Sequence, residues 1–165
     1  MPADKLSNRL INEYGDIILR MCFLYLKDYH LAEDAAQETF IKAVRNYDSF
    51  EQKSSEKTWL IKIAVNCCKN IMRSRWFRFD FINIDEYPNV TDLNCEINNM
   101  ILKDNLSNAI MKLNVLDREI IILHYYQELS LKEISSMIGK SENAVNQRLF
   151  RARKKLKSIM EEAGL

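Results

Sequence analysis

Between Leu129 and Lys157 the chain reads LSLKEISSMIGKSENAVNQRLFRARKKLK, a stretch that few folds can accommodate. Leu131, Ile134 and Ile138 recur at i, i+3 and i+7, the spacing of one buried helical stripe. Ser130, followed three residues later by Glu133, forms a capping-box pattern at the start of that helix. Gly139 permits the left-handed backbone that ends a helix. Ser141 can cap a second helix, whose inward stripe is Val145, Leu149, Ala152 and Leu156. Two short helices about a tight turn make a helix-turn-helix pattern.

The charge pattern indicates what the second helix touches. Arg148, Arg151, Arg153, Lys154, Lys155 and Lys157 follow one another with no acid between them. Ahead of them stand Asn143, Asn146 and Gln147, whose amides can pair with base edges. A helix lying in the major groove needs that layout, with readers in front and phosphate-binding cations behind. A solvated basic helix would also place cations near its own C-terminus. The coincidence of turn, amides and cations in one register favours DNA.

The longer stretch LNVLDREIIILHYYQELSLKEISSMIGKSENAVNQRLFRARKKL resembles the C-terminal DNA-binding domain of bacterial sigma factors. The resemblance rests on a helix ending near Leu123, then EISSMIG, then R-x-x-R-A-R at Arg148, Arg151, Ala152 and Arg153. The chain departs from the family pattern at Asn114, where proline is usual, and at Ala144 and Gln147, where small hydroxyl residues are usual. Gln147 lies where a base-reading side chain is expected, which implies a promoter preference of its own.

A chain of 165 residues suits one mid-sized domain or two small ones. With 47% hydrophobic and 28% charged residues it has a globular composition, and three Gly and two Pro favour helices over turns. No apolar run is long enough to span a membrane, and MPADKLSNRL shows no apolar signal segment. Both point to the cytoplasm. Cys22, Cys67, Cys68 and Cys95 form no C-x-x-C pair, and His30 and His124 are distant in sequence, so buried thiols are expected rather than a zinc site. The net charge of +1 averages opposite blocks, basic at 57–79 and 148–157 and acidic at 80–96.

Residues 5–27 are expected to form an amphipathic helix with Leu6, Leu10, Tyr14, Ile17, Met21 and Leu24 inward. Asp28 is a plausible cap for a second helix over about 30–47, burying Leu31, Ala35, Thr39, Ala43, Tyr47 or their near neighbours. Its other face bears Glu33, Asp34, Gln37, Glu38, Lys42 and Arg45. The string AEDAAQETFIKAV resembles the sigma-factor segment that docks on the clamp helices of the polymerase β′ subunit. By that resemblance Asp34, Gln37 and Glu38 meet basic residues of polymerase, where rim charges steer docking and fix register.

RNYDSFEQKSSEK, residues 45–57, breaks the helical period and is expected to be a loop. Its aromatic and polar side chains suit capture of an unstacked base, although Tyr47 and Phe50 tucked under the loop as core fit equally well. The next helix, about 55–78, has an apolar stripe of Trp59, Leu60, Ile63, Ala64, Cys67, Cys68 and Ile71. Lys62, Asn66, Lys69, Asn70 and Arg73 lie opposite, with Arg75 and Arg78 beyond. Cations for the backbone and amides and rings for bases suit single-stranded DNA. The segment resembles the family motif that melts and reads the minus-ten element. Trp59, Leu60, Ile63, Ala64, Asn66 and Arg73 match it, while Val65 and Asn70 depart from it.

DFINIDEYPNVTDLNCE, residues 80–96, is acidic, holds Pro88 and reads as a linker. In sigma factors the equivalent segment threads the RNA-exit region, but a plain solvated tether suits the residues equally. A helix is expected over 97–113 with Ile97, Ile101, Leu106, Ile110 and Leu113 inward. Asp117 is then expected to cap a helix whose 120–123 run is core.

Together these readings predict an all-α chain with two small helical domains, 1–79 and 97–165, joined by residues 80–96. The resemblance covers about 10–158 and identifies the chain as a member of the extracytoplasmic-function (ECF) group of sigma factors. It implies no catalytic residue, cofactor or metal. The partners it implies are polymerase core, at the β′ clamp helices and β flap, promoter DNA, and an anti-sigma factor. It assigns Phe50, Asn66, Lys69, Asn70, Arg73 and Arg75 to the minus-ten element. To the minus-thirty-five element it assigns Lys132, Asn143, Asn146, Gln147, Phe150, Arg151, Arg153 and Lys154. Three other readings stay open on the residues alone. A free-standing helix-turn-helix regulator would bind duplex DNA tightly without polymerase, usually as a dimer. An enzyme would need a phosphate loop, metal cluster or activated nucleophile, and the sequence shows none. A protein-binding module would have no use for the cations at 148–157.

Overall fold

The computed structural model describes residues 2–78 and 105–164, the side chains of 75–78 excepted. The chain divides into two compact units between residues 82 and 83. Among the described residues every regular element is helical.

In the first unit, α1 (Ala3–Leu26), α2 (Tyr29–Asn46) and α3 (Glu56–Arg78) pack on one another. Helix α1 ends where Lys27 turns left-handed at φ 58° and donates its backbone N–H to Phe23. Asp28 caps α2 as expected, its carboxylate accepting from the Leu31 N–H at 3.0 Å. The fully buried alanines Ala32, Ala35 and Ala43 let the neighbouring helices approach closely, and the buried Thr39 hydroxyl donates to the Ala35 carbonyl at 2.6 Å. Three expectations shift. Ile18 rather than Ile17 is buried in α1, where every residue from Met21 to Leu26 is also inside. The stretch expected as loop begins later, since Arg45 and Asn46 are helical and Tyr47–Ser49 form a 3-10 turn. In α3 the core side is Leu60, Ile61, Ala64, Val65, Cys67 and Cys68, while Trp59, Ile63 and Ile71 are half-buried. Helix α3 is apolar over much of its circumference, and the positions of α1 and α2 decide which side is covered. Cys22, Cys67 and Cys68 are buried thiols, and burial pushes the Cys67 thiol up.

In the second unit, α4 (Asn105–Met111), α5 (Val115–Ile121) and α6 (Leu131–Ile138) all pack against α7 (Glu142–Glu162). A π-helical turn over Ile122–Tyr126 follows α5. Residues 80–96 and the 97–104 part of the expected helix lie outside the described residues. The run Ile120–Leu123 is core, as expected. The cap of α5 is not Asp117 but Asn114, whose side-chain oxygen accepts from the Asp117 N–H at 2.9 Å. Asp117 instead sits inside the first turn, accepting from the Asn114 amide at 2.9 Å and from the Lys155 ammonium at 2.6 Å.

Candidate nucleic-acid interface

The helix-turn-helix forms from the local signals. The Ser130 hydroxyl accepts from the Glu133 N–H at 3.1 Å, and the Glu133 carboxylate accepts from the Ser130 N–H at 2.8 Å, closing the capping box. Gly139 ends α6 at φ 69°, where a Cβ would be strained although the space is open. The Ser135 hydroxyl donates to the Lys140 carbonyl across the turn, a tie the sequence reading missed. The Ser141 hydroxyl accepts from the Ala144 N–H at 3.1 Å and starts α7.

Burial then divides α7 into two faces. Val145, Leu149 and Ala152 are buried against the unit, and Leu156 is half-buried. On the far side Asn143, Gln147, Phe150 and Lys154 are exposed at i, i+4, i+7 and i+11, one continuous ridge. Asn146, Arg153 and Arg151 flank it, also exposed. Phe150 is 54% exposed, unusual for so large an apolar ring, and the Lys154 ammonium lies 4.5 Å from its centroid. Lys132 is exposed on α6. The basic run is not uniformly free, however. Lys155 turns back to Asp117 and holds α7 on α5, and Arg148 is half-buried.

In the first unit Asp34, Gln37 and Glu38 are exposed together on α2, with Glu38 paired to Lys42 at 3.3 Å. On α3, Asn66, Asn70 and Arg73 are exposed at i, i+4 and i+7, and Lys69 is half-buried beside them. The side chain of Arg75 lies outside the described residues. Helical register places Trp59 seven residues before Asn66, on this same ridge rather than in the core stripe expected for it. Its ring lies 4.9 Å from the half-buried Phe50 ring and 5.9 Å from Tyr47. The loop, Trp59 and the polar ridge of α3 therefore form one surface. Sequence reasoning missed Trp59 as a member of it, though its seven-residue spacing from Asn66 carried the signal.

Two family models match the chain: sigma-70 region 2 over residues 10–78 and sigma-70 region 4 over 103–156. The RNA polymerase sigma factor YlaC of Bacillus subtilis is 32% identical over 161 residues, spanning 93% of this chain and 91% of that protein. The ECF RNA polymerase sigma factor SigW of the same organism is 30% identical, spanning 93% and 88%. The chain belongs to the sigma-70 family, in its ECF group. Among solved structures, the sigma factor RpoE from Bartonella quintana, in complex with the anti-sigma factor NepR, matches with a TM-score of 0.73 at 24% identity, covering 93% of this chain and 96% of that one. CnrH, in complex with the cytosolic domain of CnrY, matches at 0.63 and 20% identity. These two share the fold.

Within this sigma factor, region 2 therefore contains α2 with its acidic face and α3 with its polar ridge. Region 4 contains the helix-turn-helix. No described helix is long and apolar enough to cross a membrane.

Proposed function

We propose that this ECF sigma factor acts in the cytoplasm, binds RNA polymerase core through Asp34, Gln37 and Glu38, and directs core to promoters through both of its units. Duplex DNA at the minus-thirty-five element lies on α7. There Asn143, Asn146, Gln147, Phe150 and Arg151 face base edges, and Lys132, Arg153 and Lys154 bind phosphates. An unstacked minus-ten base is taken at the surface of Phe50, Trp59, Asn66, Lys69, Asn70 and Arg73, with Arg75 next along the helix. Extruding a base costs a few kcal/mol, which stacking on the loop rings and pairing with the α3 amides offset. The chain performs no covalent chemistry in this role. The single observation carrying the reading is the exposed ridge of α7, where amides, an uncovered aromatic ring and cations stand opposite a fully buried stripe.

The relatives whose structures are known with NepR and CnrY suggest that a regulatory protein also binds this chain. The β flap of polymerase is the proposed partner of the second unit. Two readers on two units give little affinity unless a scaffold holds them at the right spacing. Promoter binding should therefore be weak for the free protein and strong with core.

The test is run-off transcription with polymerase core on a promoter library randomised at both elements, followed by sequencing of the transcripts. A defined pair of elements should emerge only when this chain is present. Gln147→Ala should relax the preference at one minus-thirty-five position, a loss of about 1–3 kcal/mol of discrimination. Lys154→Ala should weaken binding across all sequences and make the salt dependence shallower by about one counterion. An unchanged preference with Gln147→Ala would remove that residue from the reading surface.

A further inference from the structure

In the first unit one carboxylate joins three elements. Glu56, the first residue of α3, accepts from both terminal nitrogens of Arg9 on α1, at 2.7 and 2.9 Å. The Tyr47 hydroxyl, at the end of α2, donates to the same carboxylate at 2.5 Å and accepts from Arg9 at 2.9 Å. The Tyr14 phenol of α1 lies close enough to Glu56 to favour its carboxylate form. Tyr47 and Glu56 are the two stems of the loop that carries Phe50. Both ends of that loop are thus pinned to α1 at one point, by a two-pronged charge-assisted pair that resists rotation. From this joint the rings of Tyr47, Phe50 and Trp59 lead onto the ridge of Asn66.

The joint is well protected for a surface feature. The Glu56 side chain is 17% exposed. Hydrogen bonding from Arg9, opposed by burial and reinforced by Tyr47 and Tyr14, holds the Glu56 carboxyl at about 2, well below its ordinary 4.5. Burial, reinforced by the nearby Glu13 and Glu56 carboxylates, pushes the Tyr14 phenol up. By contrast the loop between the stems, residues 51–55, is exposed throughout. The position of Phe50 therefore depends on its stems more than on packing of the loop itself.

We propose that Arg9 and Glu56 are positioning residues for minus-ten recognition, fixing the loop stems so that Phe50 and Trp59 present their rings beside Asn66. This rests on the reading that the loop surface takes an unstacked minus-ten base. Neither Arg9 nor Glu56 touches the base; they act through Tyr47, Phe50 and Trp59. A joint that only fastened the fold together would change stability and leave base preference alone.

The experiment selects transcripts from a promoter library randomised at the minus-ten element, using the full chain with polymerase core. It compares Arg9→Met, Glu56→Gln, Tyr47→Phe and Phe50→Ala, below the melting temperature of each. Tyr47→Phe keeps the ring and drops only the hydroxyl, so it reports on the joint even where a charge variant folds poorly. Arg9→Met and Glu56→Gln are expected to lower the preference at the captured position by roughly tenfold, since small displacements of a recognition group cost that much or more. Tyr47→Phe should lower it less, and core binding should stay unchanged. Wild-type preferences in folded joint variants, with preference lost in Phe50→Ala, would overturn the positioning role and keep the loop reading. Wild-type preferences in Phe50→Ala as well would overturn the loop reading and this inference with it.

Discussion

Replacing Asp34 and Glu38 together with arginine is expected to abolish stoichiometric co-purification with bacterial RNA polymerase core. Both side chains are exposed on α2, away from its buried alanines. The fold therefore has little to lose. Among the described residues the ion pair removed is Glu38 with Lys42, a surface pair of the kind worth under about 1 kcal/mol. If Asp34 and Glu38 meet the basic polymerase surface proposed for them, placing two cations there costs several kcal/mol, so affinity should fall on the order of a hundredfold to a thousandfold. Far-UV circular dichroism and melting temperature should stay near wild type. Full core binding by the folded double variant would take these residues out of the interface. Specific duplex binding by a wild-type chain that ignores core would favour the free-standing regulator.

The second large effect concerns stability. Ile134 is the fully buried member of α6, inside the corner that α6 makes with α7. Ile134→Asp would leave a carboxylate there without a partner, at a cost of about 3–5 kcal/mol. A helical unit this small rarely has more than about 3–5 kcal/mol of stability in total. The second unit should therefore melt at room temperature while α1 to α3 stay folded. Thermal melts should show roughly half of the helical signal absent from the start. Core binding through α2 should persist, and minus-thirty-five selection should disappear. Loss of all helix in one transition would show that the two units do not fold independently.

A smaller effect follows from the charge state of Glu56. Its folded pKa lies below the unfolded value, so its contribution is complete above the ordinary carboxylate range and fades as pH falls from about 4.5 toward 2. Arg9 is about one-third exposed, and solvent screening holds the contribution to the order of 1–2 kcal/mol. Glu56→Gln should melt lower than wild type at neutral pH, and the two melting temperatures should converge as pH approaches 2. A constant gap across that window would rule out the charge as the source.

The features legible in the sequence share one property: their partners lie close along the chain. Asp28, Ser130 and Ser141 cap the helices they precede, and Gly139 ends α6, because each contact spans only a few residues. The α7 ridge was legible for the same reason. Once Val145, Leu149 and Ala152 face inward, the helical repeat puts Asn143, Gln147, Phe150 and Lys154 outward.

Distant partners decided the rest. Asn114 and Asp117 are both competent caps, and Lys155, thirty-eight residues from Asp117, engages that carboxylate while Asn114 takes the cap. The same ammonium looked like a free phosphate binder in the basic run. Trp59 stands half-buried on the polar ridge of α3 and not in its expected core stripe, because a helix with apolar residues on several sides shows no preferred face until α1 and α2 cover one. The Arg9, Tyr47 and Glu56 joint spans forty-seven residues and leaves no periodic trace. Sequence by itself determined the caps of α2, α6 and α7, the stop of α6 at Gly139 and the outward face of α7, since those follow from hydrogen bonds and repeats within a few residues. Tertiary structure alone decided which charges are spent inside the protein and which face outward, because an ion pair forms wherever folding brings opposite charges within about 3 Å.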